Sequence, residues 1–528
     1  MEKFSEQEEA ILIQYMTNVD KPIFVLKNLP EVVKGTVFSR YSRTVKSLRR
    51  ILLDEFVTNL EGVVIPDGAI DTKRAEDFYD RVLNDYGDDS VAELAGVHLA
   101  CEDVSMLASK VIEDSRVGLS PLEKSTRYVL FNQKVDDEYR VYKDPDIMNS
   151  RHADLYLETV NYLFDTYTRL YDPLTKYVKE KAPAEEGVSD RAYASSIKAK
   201  VCDNLRGLLP SSALTNLGLY GNGRAFEYLL IKMYAHPLME MKTLSSMIHE
   251  ELNKVIPSFL RRANDQKGKD YQRYLADTSN NLTSYMATRQ PIAEGKKEQS
   301  TKLVYHYPND ESDLIASIVY PYIDGEWSTI RNWVGGLDAH EKEKVVDLYL
   351  GSRTNRRHKP GRALENSSYF FEIVGNYGMY RDLQRHRVLT QEKQEFSTRN
   401  GYDIPSTLIE AGYKKDFEDA MKLSEEAYSK IARDLPKQAQ YVVALAWRIR
   451  WYMQMNLREA YHLIELRSSK QGHPDYRKVA QSMFRQISAV HPLTAKYMKF
   501  VDMNDYELGR LEAETRMDKK RMSSAAPK

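Results

Sequence analysis

The sequence predicts a mixed fold of long helices with few, short strands, arranged as two similar halves. Three observations carry this expectation. Apolar residues recur mainly three and four positions apart, the period of an amphipathic helix. Strand candidates are few and short. Four small motifs occur twice, in the same order, on either side of a polar stretch.

The elements follow in order. Leu94, Val97, Cys101, Val104, Ala108 and Val111 form an apolar stripe that predicts a helix in the first half. Phe370, Ile373, Val374, Tyr377, Tyr380 and Leu383 predict its counterpart in the second half. Residues 36–41 and 314–322 read as strands. Residues 260–300 are rich in Lys, Gln, Asn, Gly and Ser and read as a linker, with a similar tail at the end of the chain. The expected division is therefore a first half 1–265, a linker 266–300, a second half 301–515 and a polar tail 516–528.

The repeated motifs are specific enough to name. Each apolar stretch ends in a charged triplet, Asp114-Ser115-Arg116 and Arg385-His386-Arg387. Each triplet is followed by the skeleton Glu-x-Ser-x-Arg, as Glu123, Ser125 and Arg127 and again as Glu395, Ser397 and Arg399. Each half then offers Asn-x-Arg at the head of an amphipathic stretch, Asn222 with Arg224 and Asn456 with Arg458. A His-Pro pair comes last, at His236-Pro237 and His473-Pro474. Four motifs in one order argue for a diverged tandem duplication.

Composition narrows the function classes. Lys+Arg is 76 against Asp+Glu 77, so no whole-chain argument exists for a nucleic-acid or membrane-surface binder. Hydrophobic residues make up 42%, enough for packed cores. No apolar run approaches the ~18 residues of a spanning helix, and the acidic, polar first ten residues do not suit a signal peptide. Two cysteines form neither a disulfide framework nor a four-thiolate zinc site, and no metal is expected. The expectation is a cytoplasmic protein with neither nucleic acid nor membrane as partner.

The chemistry lies in the paired motifs. A loop carrying Glu, Ser and Arg at alternate positions offers an acceptor, a hydroxyl and a fork of donors to one ligand. Arginine matches phosphate oxygens bidentately, so the pentads suit an anion cradle. Cations of the Arg385–Arg387 triplet also suit a helix C-terminus, where the dipole favours them. Upstream, Ser90 and Glu93 have capping-box spacing, which satisfies orphan amides and is compatible with a phosphate at the same helix start. Asn222 and Asn456 are ordinary helix caps by type. Arg206 precedes Leu209-Pro210, and Arg467 lies eleven residues after Asn456, three helical turns on. The phosphate-loop, zinc-protease and serine-elbow templates are absent. Cys101 falls on an apolar face, and Asp203 beside Cys202 raises rather than lowers a thiol pKa.

Taken together these motifs resemble the flavin-dependent thymidylate synthases. Arg385-His386-Arg387 followed by a Ser-x-Arg is similar to that family's Arg-His-Arg signature. The segment from Gly87 through Ser90 to Glu93 resembles its flavin segment. Arg206 with Leu209-Pro210, Thr215 and Asn222-Gly223-Arg224 resemble its Arg-x-x-Leu-Pro, Thr, Asn-Ala-Arg run, and Ser39-Arg40-Tyr41-Ser42 an early Arg-Val-Ser strand end. The resemblance covers most of residues 36–250 once and 314–490 again. Departures are plain: Asp114-Ser115-Arg116 replaces Arg-His-Arg, Met233 stands where an arginine follows Asn222, and Asp382 stands where the family usually has Gln. Leu435-Pro436 is displaced from Asn456.

The resemblance implies an α+β fold, two tandem copies of a thymidylate-synthase-complementing fold with a short β-sheet and long helices, bound FAD, and dUMP methylated with methylenetetrahydrofolate and NADPH as co-substrates. It implies that Arg385, His386, Arg387, Asn456, Arg458, Ser90, Glu93, Asn222 and Arg224 hold flavin. Glu123, Ser125, Arg127, Arg206, Glu395, Ser397 and Arg399 would cradle dUMP, and Arg467 would face the uracil carbonyl as the catalytic cation. Since that family uses four units, a homodimer of this double chain is expected to form a pseudo-tetramer with sites shared between halves. The broken motifs keep open a catalytically silent nucleotide- or flavin-binding or scaffolding homologue, or a related flavin-dependent uridylate-modifying enzyme.

Overall fold

The computed structural model describes residues 2–42, 44–57, 91–289 and 298–525. Helices and small sheets are mixed, as an α+β fold requires. Nine strands are present among the described residues: β1 Gly96–Ser105, β2 Leu119–Glu123, β3 Lys134–Val135, β4 Glu138–Tyr139, β5 Leu214–Asn222, β6 Ser300–Tyr307, β7 Ser368–Asn376, β8 Thr390–Lys393 and β9 Arg448–Met455. They form a sheet in the order β1-β5-β2, the hairpin β3-β4, and a sheet in the order β6-β7-β9-β8.

The chain divides into two compact units, each threaded by several segments. One comprises Met1–Val104, Ala108–Glu123 and Thr215–Ala293; the other comprises Ser105–Leu107, Lys124–Leu214 and Glu294–Lys528. Residues 124–214, early in the sequence, thus share a unit with the whole second half.

The sheet β1-β5-β2 and the strands β7-β9-β8 of the four-stranded sheet have the same connectivity, with β6 added outside β7. In each, a strand leads into a short helix (β1 into Met106–Glu113, β7 into Tyr377–Leu383), and a second strand pairs at the far edge. A third strand then enters between them and runs into a helix. That third strand is β5 before Gly223–Tyr234 and β9 before Leu457–Arg467. Each of these two helices is opened by an asparagine side chain that accepts the N–H three residues on: Asn222 from Ala225 and Asn456 from Glu459, both at 2.9 Å. This satisfies one of the four amides that a helix start leaves unpaired.

Several sequence expectations need correction. The stripes from Leu94 and from Phe370 are not helical throughout; each is a strand followed by a helix of two turns. In β7, Tyr369, Phe371 and Ile373 are fully buried at period two, and Asn376 ends the strand by capping the next helix. Apolar residues three and four apart at such a junction imitate a helical stripe. The two strand candidates are helical: 36–41 lies within Glu31–Tyr41, and 314–322 covers most of Ser312–Val319 and the 3₁₀ turn after it. Short apolar runs do not distinguish buried helix from strand, and flanking residues decide here. Pro30 and Glu31 open the first of these helices. Residues 266–287 of the expected linker are a single helix, Gln266–Ala287, capped by Asp265. The expected polar tail is helical through Leu511–Ala525 and packs on helix Asp190–Leu205, with Asp518 near Arg191.

Candidate functional site

Unit Lys124–Leu214 with Glu294–Lys528 contains a buried cluster of arginines and carboxylates. Helix Asp190–Leu205 carries Asp203 on its last turn, and the 3₁₀ turn Arg206–Leu208 begins with Arg206. Arg127 makes a bidentate pair with Asp203 at 2.7 and 2.8 Å and donates to the Tyr476 hydroxyl at 2.9 Å. Arg206 pairs with Asp382 at 2.9 Å, and its Nη2 is buried with no hydrogen-bond partner among the described residues. Arg467 ends helix Leu457–Arg467, donates from Nε to His386 Nε2 at 2.9 Å, and lies over the Tyr476 ring as Arg127 does.

The electrostatics draw these groups together. Burial acts to raise the Asp382 pKa, yet the guanidiniums of Arg206, Arg127, Arg385 and Arg467 hold it far below the usual carboxylate range. Asp203 is likewise held low, against burial, chiefly by Arg127. His386 is pushed down to about 4 by burial, with Arg467 adding to the effect and the Glu459 hydrogen bond opposing it. Because Nε2 accepts from Arg467, the neutral ring carries its proton on Nδ1, facing Glu459 at 2.9 Å. His462 also contacts Glu459, at 3.3 Å. His386, Glu459 and His462 are grouped as metal ligands would be, but the Arg467 bond commits the His386 tautomer away from a metal-binding Nδ1.

The remaining expected residues have definite places. Ser125 and Ser397 each accept, through Oγ, the backbone N–H of the arginine two residues on, at 3.2 and 3.4 Å. The two pentads thus share one local turn. Their outer members differ: Arg127 joins the cluster with 11% of its side chain exposed, whereas Arg399 is exposed. Glu395 pairs with Lys437 at 2.9 Å. Glu123 is buried at the end of β2, where it takes hydrogen bonds from Ser109 and Lys110 at 2.9 Å each. Arg387 is half-buried; Arg458 is tied to the Pro360 carbonyl at 2.8 Å and to Glu365 at 3.0 Å.

In the other unit, Glu93, Asn222 and Arg224 line a cavity of about 700 Å³, together with Ser115, Arg262, Lys267, Tyr228 and Tyr271. Arg224 pairs with Glu93 at 2.7 Å at its rim. Its three cations, of which Arg224 is paired with Glu93 and Arg262 with Glu227 at 3.1 Å, and its two phenol rings give it groups for an anionic ligand with aromatic parts, and the volume falls within the range of cofactor pockets. Ser90 lies outside the described residues. Both thiols are buried and pushed up to about 11, by burial in each case and by Asp203 also at Cys202, so neither is a ready nucleophile.

The sequence reading missed Asp203, Tyr476, Glu459, Arg262 and Lys267. Arg127 and Tyr476 are 349 residues apart, and no local pattern announces such a pair. Glu459 sits at the third position after a capping asparagine, a place that commonly returns a bond to the cap; here its carboxylate turns to His386 instead.

A family model described as thymidylate synthase complementing protein matches residues 39–258 and 302–493. A UPF0159 protein of Chlamydia muridarum is 42% identical over 522 residues, covering 97% of this chain and 98% of its own. A flavin-dependent thymidylate synthase of Sulfurisphaera tokodaii is 30% identical over 174 residues, 31% of this chain and 67% of that protein. Among solved structures, a UMP/dUMP methylase, PolB, from Streptomyces cacaoi bound with 5-Br dUMP aligns with TM-score 0.31 and 15% identity, over 39% of this chain and 97% of that one. The chain belongs to the thymidylate synthase complementing protein family, which its two matched segments span for most of its length.

Proposed function

We propose that the protein is a flavin-dependent thymidylate synthase in which two diverged halves, 1–265 and 301–515, are fused in tandem. It would convert dUMP to dTMP with methylenetetrahydrofolate as carbon donor and NADPH as reductant. The observation that carries this reading is the buried convergence on Asp382 of Arg127 and Arg206 from the first half with Arg385 and Arg467 from the second. The shared connectivity of the two sheets supports the duplication.

In this reading Arg127 and Arg206 bind the dUMP phosphate, which brings the negative charge that Asp203 presents to Arg127 through two bonds and Asp382 presents to Arg206 through one. Arg467 is held by His386 and Tyr476 with its charge directed by those contacts, and it stabilises negative charge that develops on the pyrimidine carbonyl. With both cysteines neutral, no thiolate attacks the ring. The residues that fit FAD are Glu93, Asn222, Arg224, Arg262 and Lys267 around the 700 Å³ cavity, with Tyr228 and Tyr271 as its aromatic walls. When bound, the flavin supplies reducing equivalents. His386, Asn456 and Arg458 serve the arginine cluster by holding Arg467 and its helix in place. A homodimer gathers four synthase-like units, and the enzyme acts in the cytoplasm.

One observation favours a second reading, a catalytically silent nucleotide-binding homologue: two of the cluster's guanidiniums already have carboxylate partners. Purified protein separates the two. The synthase retains FAD and oxidises NADPH in a dUMP-dependent way; the silent homologue binds dUMP without NADPH oxidation.

A further inference from the structure

Arg206 is buried where it meets Asp382. Its Nη1 meets Asp382 at 2.9 Å, with only 5% of the arginine side chain and 13% of the aspartate exposed. Its buried Nη2 has no hydrogen-bond partner among the described residues. The same residue lines a cavity of about 330 Å³ with Lys200, Lys478 and Arg448. Gly378 also lines it, and a Cβ there would come within 3.3 Å of Arg206 Nε, so glycine keeps the approach to the guanidinium open. The carboxylates at the cavity are engaged elsewhere: Asp203 with Arg127, Asp403 with Arg448, and Asp475 with the Asn376 amide at 2.7 Å. Among the described residues the carboxylate paired with Arg206 is that of Asp382, so an anion entering this cavity competes with it.

We propose that Asp382 sets the anion selectivity of the cradle: its carboxylate and an incoming phosphate monoester compete for the Arg206 guanidinium. This deepens the nucleotide reading and rests on it for the identity of the ester. The charge of Asp382, rather than its shape, is the barrier, because like charges brought together on one guanidinium repel while a neutral amide there does not. Weak dianions are excluded, and a ligand must bring further contacts to displace the carboxylate.

The test compares wild type, Asp382→Asn and Asp382→Glu by calorimetric titration with inorganic phosphate and with dUMP. Asp382→Asn is expected to bind both about tenfold or more tightly than wild type, and Asp382→Glu no more tightly than wild type. Unchanged or weaker phosphate binding by a folded Asp382→Asn overturns the proposal, as does an equal gain by Asp382→Glu. If Asp382→Asn leaves Arg206 without a counter-ion and does not fold alone, recovery of the folded state in millimolar phosphate supports the proposal, and failure to recover overturns it. A gain for phosphate with none for dUMP keeps the proposal and removes the nucleotide reading. Turnover of dUMP by wild type with no gain in Asp382→Asn does the reverse.

Discussion

Arg467 Nε donates to His386 Nε2 at 2.9 Å, and this bond fixes the protonation of a buried histidine. The ring must keep a lone pair on Nε2, so its single proton sits on Nδ1 and is shared with Glu459. Arg467 is thereby aimed by a neutral group, while the Asp382 carboxylate acts on it only through space. An arginine paired with a carboxylate would offer a developing anion far less.

The first prediction is a loss of stability as acid is added. His386 and His491 are pushed down to about 4 from an ordinary 6.5, both chiefly by burial, and His473 is lowered in the same way. Below pH 6.5 the unfolded chain binds protons that these folded rings refuse, so stability is complete above that value. It falls as pH drops from 6.5 toward 4, by roughly 1 kcal/mol per pH unit for each histidine. Protonation of the depressed carboxylates Asp203 and Asp382 extends the loss to lower pH. Urea denaturation at several pH values measures it; a flat profile between pH 6.5 and 4.5 would count against the buried neutral rings.

The second concerns the fold around helix Leu457–Arg467. Arg353 holds Glu465 bidentately at 3.0 and 2.7 Å and also donates to the carbonyls of His358 and Tyr497. Both side chains are almost wholly buried. Arg353→Ala leaves an uncompensated buried carboxylate and is expected to cost about 3–5 kcal/mol. The double variant Arg353→Met with Glu465→Leu recovers most of that loss in the same urea titrations.

The third separates the two pentads. Arg127 and Arg206 belong to the buried cluster, whereas Arg399 is exposed. Alanine at Arg127 or at Arg206 should weaken dUMP binding by about 1.5–3 kcal/mol, roughly ten- to a hundredfold. Alanine at Arg399 should change it little. Equilibrium dialysis with labelled dUMP reads the difference, and equal losses would refute the assignment.

The fourth concerns flavin. Arg224 lies at the rim of the 700 Å³ cavity, while Arg458 is engaged by Glu365 and Pro360. Arg224→Ala should lower the FAD retained per chain after gel filtration, and Arg458→Ala should leave it near wild type. The opposite ranking would move the flavin to the second-half motif.

What could be read from sequence was what is local. The Asn-x-Arg motifs mark helix starts because a cap and its amide are three residues apart. The serine of each pentad turns onto its own arginine for the same reason. The sheets were hidden because Tyr369, Phe371 and Ile373 precede a helix whose apolar residues continue a spacing of three and four. The partners of the cluster were hidden by distance along the chain. Arg206 finds Asp382 across 176 residues, and nothing local to either residue announces the pair.

The central claim is that this arginine cluster binds dUMP for reductive methylation. Release of tritium from 5-labelled dUMP, in the presence of FAD, NADPH and methylenetetrahydrofolate, tests it most directly. The account predicts release that requires all three, yields dTMP, and is lost in Arg467→Ala with the fold intact. No release from folded, flavin-loaded wild-type protein, or release undiminished by Arg467→Ala, would contradict it.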